Sequence, residues 1–112
     1  MVTSKRLEGF QISVSETTKQ AWLSSLVDNI FKVLPTYEER GCMAMNLYLG
    51  GLLMDMTAAD VIFEGYLSDV IIKLCVLYNT TEEPSHAEVR KRTLECTSLT
   101  RKKFETLYGK KD

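Results

Sequence analysis

The chain has 112 residues, of which 45% are hydrophobic and 26% are charged, and its formal net charge is −1. This length and apolar content predict one folded domain, or two very small ones, with a thin core for which oligomerisation is expected. They argue against disorder outside the two ends of the chain. No apolar run approaches the roughly 18 residues of a membrane span, so no membrane partner is expected. The three cysteines are odd in number and widely spaced, which is typical of free thiols in a reducing compartment and predicts a cytoplasmic protein.

The segment near the N-terminus alternates in character. Phe10, Ile12 and Val14 are apolar, and Gln11 and Ser13 between them are polar. This period of two predicts a short, half-buried strand. Because a lone strand leaves its backbone donors and acceptors unpaired, it requires a partner strand. An ordered arm that packs on a helical bundle is the alternative explanation of the same segment.

Four helix-periodic segments follow this alternation. They are predicted over residues 16–34, 36–54, 58–78 and 85–108. Pro35 is expected to end the first segment, because proline lacks the amide hydrogen that a helix interior requires. Thr57 is expected to cap the third segment, Ser85 to cap the fourth in a capping box with Glu88, and Gly109 to end it. The second segment is apolar on most of its sides, which predicts that it is buried in an oligomer.

The strand followed directly by two helices resembles the ribbon-helix-helix family of DNA-binding dimers over residues 10–54. Within that family the pattern is similar to the TraM relaxosome proteins of conjugative plasmids, in its long first helix, the run RGCMAMNLYLGGLL, and the further helical region behind it. The resemblance implies a mainly α fold with one short strand and about four helices, assembled as a dimer. Residues 1–56 would form the dimerisation and DNA-binding region and residues 57–112 a helical oligomerisation region, and one compact domain is the alternative.

The resemblance also implies roles for individual residues. The outward strand side chains would contact DNA bases, and these are Gln11 and Ser13. Phosphate contacts would come from Lys5, Arg6 and Arg40. The oligomer interface would hold Phe10, Ile12, Val14, Met45 and Leu49. The expected function is a small DNA-binding accessory or regulatory protein, of the relaxosome or the repressor type. An all-helical protein–protein interaction module without DNA binding or catalysis is the alternative.

Charge is distributed unevenly along the chain. Residues 36–84 carry two positive and eight negative side chains, whereas residues 85–112 carry eight positive and four negative ones. In the last helix Arg90 lies eleven residues before Arg101, and Lys91 lies eleven residues before Lys102. Eleven residues are about three turns, so each pair shares one side of the helix. This basic side is interpreted as a solvated face, with a phosphate track or a dock for the acidic middle of another protomer as the alternative.

No catalytic or metal-binding motif is present. The sequence has no glycine-rich phosphate loop, no H-E-x-x-H and no G-x-S-x-G. His86 is the only histidine, and the cysteines lack the close spacing of a zinc site. We therefore expect no enzyme activity, no metal and no cofactor.

Overall fold

Five helices make up the regular structure of the described part of the chain. The computed structural model describes residues 14–78 and 83–109. The helices in chain order are α1 (Glu16–Phe31), α2 (Val33–Arg40), α3 (Cys42–Ile62), α4 (Ser68–Tyr78) and α5 (His86–Tyr108). The described ranges contain helices and the turns between them, and no strand.

The junction of α1 and α2 differs from the prediction. Ser15 caps α1, because its side-chain oxygen accepts a 3.1 Å hydrogen bond from the Thr18 amide. Pro35 was expected to end this helix, but it lies in the first turn of α2. α1 has already ended at Phe31, and the amides of a first helical turn have no acceptor within their own helix. Proline therefore costs no hydrogen bond at this position.

The bounds of α3 also differ from the prediction. Gly41, with φ of +89° and ψ of −178°, separates α2 from α3 in a conformation that is essentially restricted to glycine. Thr57 lies inside α3, where its hydroxyl donates a 2.8 Å hydrogen bond to the Leu53 carbonyl and does not cap a new helix. The chain turns later, through Glu64 and Gly65, whose φ values are +55° and +84°.

The last helix follows the prediction at both ends. The Ser85 side chain accepts a 3.2 Å hydrogen bond from the Glu88 amide, which satisfies one of the free donors of the first turn. Gly109 ends the helix with φ of +83°. The serine cap and the terminal glycine are both local features, so they can be recognised in a single sequence.

α1, α3, α4 and α5 form a four-helix bundle in which each helix packs on two neighbours. α1 packs against α3 and α5, and α4 packs against the same two helices, while the short α2 contacts α1, α3 and α5. The hydroxyl of Tyr48 in α3 donates a hydrogen bond to the Asn29 carbonyl near the end of α1. The core is apolar, and its largest members are Leu23, Leu26, Ile30, Met45, Leu49, Met56, Leu67, Leu74 and Leu77. Each of the four helices therefore has one side in this core and an opposite side that faces outward.

The predicted fold class, a dimer built on a paired N-terminal strand, is wrong. That fold requires a pair of strands, and the described chain consists of helices and turns. α1 and α3 also complete their packing with α4 and α5 of their own chain. Met45 and Leu49 were assigned to an oligomer interface, but both are fully buried in the core of their own protomer. Residues of the same chain thus bury both of these side chains.

Candidate functional site

The outward side of α3 carries an exposed row of apolar and small residues, called here the α3 outer row. Its members are Met43, Leu47, Gly51, Met54, Ala58 and Val61. They recur at intervals of three or four residues, so they share one side of the helix. Met43, Leu47 and Met54 are 81%, 77% and 76% exposed, and Val61 is 54% exposed. The buried residues of the same helix lie on the opposite side.

No charged side chain interrupts the α3 outer row. α3 contains only two charged residues, Asp55 and Asp60, and neither belongs to the row. The Asp60 carboxylate accepts a 2.8 Å hydrogen bond from the Leu67 amide in the turn before α4. The row thus extends uncharged from Met43 to Val61, about 27 Å at the rise of an α-helix.

The adjacent helix α4 widens this surface. Ile72 is 64% exposed and Val76 is 49% exposed. Both lie opposite the buried side of α4, which is formed by Val70, Leu74 and Leu77. α3 and α4 pack side by side, so these exposed residues lie on adjacent helices. Together the two helices expose Met43, Leu47, Met54, Val61, Ile72 and Val76.

An open groove of about 520 Å³ lies along the edge of the α3 outer row that is nearer to α1. Its lining consists of Asn29, Leu47, Tyr48, Gly51, Leu52, Met54 and Asp55. The Tyr48 hydroxyl donates a 2.8 Å hydrogen bond to the Asn29 carbonyl, which fixes the wall between α1 and α3. Burial raises the pKa of the Tyr48 hydroxyl, and the nearby Asp55 carboxylate adds to this effect. The groove has one polar wall, whereas the row beside it is apolar.

The basic side of α5 was singled out from the sequence. Arg90, Lys91, Arg101 and Lys102 are all exposed, and none forms an ion pair with another residue of the described ranges. Two neighbouring basic residues of α5, by contrast, form ion pairs. Arg92 pairs with Glu88 at 2.9 Å, and Lys103 pairs with Asp69 of α4 at 3.1 Å. Arg90, Lys91, Arg101 and Lys102 are thus exposed without an ion pair in the described ranges, whereas Arg92 is paired within α5 and Lys103 is paired with α4.

The predicted DNA-contacting residues lie mostly outside the described ranges. These are Lys5, Arg6, Gln11 and Ser13, and the predicted interface residues Phe10 and Ile12 lie outside the described ranges as well. Val14 is half-buried immediately before α1, and Arg40 is exposed in the last turn of α2. Neither of these two residues belongs to the α3 outer row or to the basic side of α5.

Sequence reasoning missed the α3 outer row, although a signal for it was present. The segment from Cys42 to Ile62 holds two charged residues among 21, which is too few for a helix with an ordinary solvated side. That signal led to the expectation of an oligomer, but it pointed to Met45 and Leu49. The exposed residues are their near neighbours Met43 and Leu47.

Two observations on the described residues concern metal binding and nucleophilic chemistry. Within residues 14–78 and 83–109, no three histidine, cysteine, aspartate or glutamate side chains converge as metal ligands. Cys96 is fully buried, and this burial raises the pKa of its thiol to about 11. A thiol in this state is a poor nucleophile near neutral pH. None of the helices described is long and apolar enough to cross a membrane.

Comparison with known proteins found no relative of this chain. No profile of a known protein family, no curated protein and no solved structure matches it.

Proposed function

We propose that this protein is an all-helical protein–protein interaction module that assembles as a homodimer through the α3 outer row. The observation that carries this proposal is the exposure of Met43, Leu47 and Met54 on one side of a single helix. Soluble monomers rarely expose large contiguous apolar patches, so an uncharged row that exposes Met43, Leu47, Met54 and Val61 indicates an interaction site.

A second copy is the occupant that fits this surface best. The row carries no charge that would select an oppositely charged partner, and its chemistry is the same from end to end. A two-fold symmetric interface uses the same patch on both subunits, so a uniform apolar row satisfies it on both sides at once. An area of about 800 Å² per subunit is sufficient for a stable, specific dimer.

The cysteines support action in a reducing compartment such as the cytoplasm. Cys42, Cys75 and Cys96 are all free thiols in the structure. Disulfides are rare in the cytosol, where thiols are kept reduced.

The experiment that tests the proposal is light scattering coupled to size-exclusion chromatography. At tens of micromolar the natural protein is expected to elute with the mass of a dimer, and the Met54→Lys variant with that of a monomer. The lysine would place a charge in the centre of the apolar contact, where burial of an unpaired ion is costly. Circular dichroism checks that the variant keeps its helices.

A matched control comes from α5. Leu94 is also an exposed apolar residue, at 42%, but it lies on another helix. The Leu94→Lys variant is expected to remain a dimer. A monomeric natural protein at 100 micromolar, or a Met54→Lys variant that stays dimeric, would refute the proposal.

Binding of double-stranded DNA is a second candidate, and the basic side of α5 favours it. The two pairs, Arg90 with Lys91 and Arg101 with Lys102, are spaced by about 16 Å along the helix and are free to contact phosphates. An Arg101→Glu, Lys102→Glu variant is expected to bind DNA more weakly at low salt and to reduce the salt slope by about 2, because two phosphate contacts are lost. Lys32→Glu, at an exposed site between α1 and α2, is the control. Equal affinity of the natural protein and both variants would exclude this candidate.

A further inference from the structure

We infer that the two α3 helices of the dimer pack antiparallel, about a two-fold axis level with the peptide bond between positions 52 and 53. This inference rests on the proposed function, because it specifies how the second copy lies on the α3 outer row. It follows from the order of large and small side chains along the row and from the position of α4 beside it.

The row is self-complementary when it is reversed. An axis at this level pairs Leu47 with the partner's Ala58 and Met54 with the partner's Gly51, since the members of each pair lie equally far from the axis. Met43 meets the partner's Val61 with an offset of one residue, about 1.5 Å. Three contacts therefore repeat on each side of the axis.

These pairings place long side chains against short ones. Gly51 is exposed, and a methyl group added at its Cα would meet no heavy atom within 4 Å, so the space above it is open. The partner's Met54, which is 76% exposed, is long and flexible enough to fill that space. Leu47 likewise packs over the partner's Ala58, whose side chain is small. Interdigitation of this kind lets helix axes approach to about 8–10 Å.

A parallel pair in register would pack less well. It would place every residue of the row against its own copy, so that Met54 meets Met54 and Gly51 meets Gly51. The first contact is crowded and the second leaves a void, and both are unfavourable in a packed interface. The alternation of size therefore favours the antiparallel arrangement.

The neighbouring helices favour the same orientation. A two-fold axis perpendicular to both α3 helices keeps the two α4 helices on the same side of the pair. Ile72 then lies near the partner's α4, whose exposed residues include the apolar Ile72 and Val76. A parallel pair would turn Ile72 toward the partner's α1 side, where Asp55 and Asn29 line the groove. An apolar side chain gains less there, because Asp55 would have to lose water.

Disulfide cross-linking distinguishes the two orientations. Met43→Cys and Val61→Cys are introduced singly and together, in a chain in which Cys42 and Cys75 are replaced by serine and the buried Cys96 is kept. Under mild oxidation the double variant is expected to become mostly covalent dimer. Each single variant is expected to remain monomeric on a denaturing gel. Its introduced cysteine and the same cysteine of the partner would lie about 30 Å apart, too far for a disulfide bond. The two positions within one chain are about 27 Å apart and cannot form an internal bond.

Efficient cross-linking of either single variant would overturn the antiparallel inference, and so would a dimeric double variant that does not cross-link. Light scattering before oxidation separates this failure from a failure of the proposed function, in which the natural protein is monomeric. Should the cysteines themselves weaken the dimer, a nitroxide label at Arg40→Cys provides a second measurement outside the row. Its distance to the same label in the partner is expected to exceed about 30 Å. A distance below 20 Å would contradict the inference.

Discussion

The Leu67 amide donates a 2.8 Å hydrogen bond to Oδ1 of Asp60, and this contact closes the turn between α3 and α4. Leu67 is fully buried, so its amide has no access to water as an alternative partner. Asp60→Ala is therefore expected to lower the free energy of unfolding by about 1–3 kcal/mol, measured by urea denaturation. Asp55→Ala is the matched control on the same helix, and it is expected to change stability by less than about 0.5 kcal/mol. Equal effects of the two substitutions would show that the turn does not depend on this bond.

The ammonium group of Lys103 is expected to stabilise the packing of α4 on α5. Its Nζ lies 3.1 Å from Oδ1 of Asp69 and 4.2 Å from the centre of the Tyr66 ring, and the side chain is only 12% exposed. Lys103→Met keeps the aliphatic stem but removes the charge, and we expect a loss of about 1 kcal/mol in thermal or urea denaturation. The neighbouring exposed Lys102 provides the control, because Lys102→Met removes the same charge without these contacts. The difference between the two variants should shrink at high salt.

Two glycines of the chain are expected to respond oppositely to alanine. Gly41 has φ of +89°, where an alanine side chain is strained, so Gly41→Ala should destabilise the fold by about 1–3 kcal/mol. Gly51 is helical and has open space around its Cα, so Gly51→Ala should stabilise the isolated protomer by about 0.5–1 kcal/mol. Both are measured by urea denaturation in the Met54→Lys background, which removes the contribution of the dimer. In the natural background Gly51→Ala should weaken dimerisation, because the methyl group occupies the space assigned to the partner's Met54.

The buried thiol of Cys96 predicts a loss of stability in alkaline solution. Burial, with a smaller contribution from Glu95, raises the pKa of Cys96 from 9.0 to about 11. Above pH 9 the unfolded chain releases this proton while the folded chain retains it, so the free energy of unfolding falls as pH rises. The loss approaches about 2–3 kcal/mol by pH 11. Urea denaturation from pH 8 to 10.5 should show this slope, and Cys96→Ala should reduce it.

Val70 provides the control for this pH dependence, because it is also fully buried but carries no titratable group. Val70→Ala is expected to leave the slope unchanged. A slope that is the same in all three proteins would assign the alkaline loss to other groups.

The sequence by itself determined the local features of this protein, such as the Ser85 cap, the end of α5 at Gly109 and the apolar sides of the helices. A cap and a terminal glycine act within one turn of backbone, so their signals need no distant partner. The sequence also showed that α3 has too little charge for an ordinary surface helix, and this supported an oligomer before the fold was known.

Only the tertiary structure decided which apolar side of α3 is buried. Met43 and Met45 have the same side chain two positions apart, yet one is 81% exposed and the other is fully buried. Periodicity cannot separate them, because a helix that is apolar on both sides has no preferred direction. The choice depends on α1 and α4, which pack on one side and leave the other uncovered. The alternation at residues 10–14 is ambiguous for a similar reason. A period of two does not specify whether a second chain supplies the partner strand.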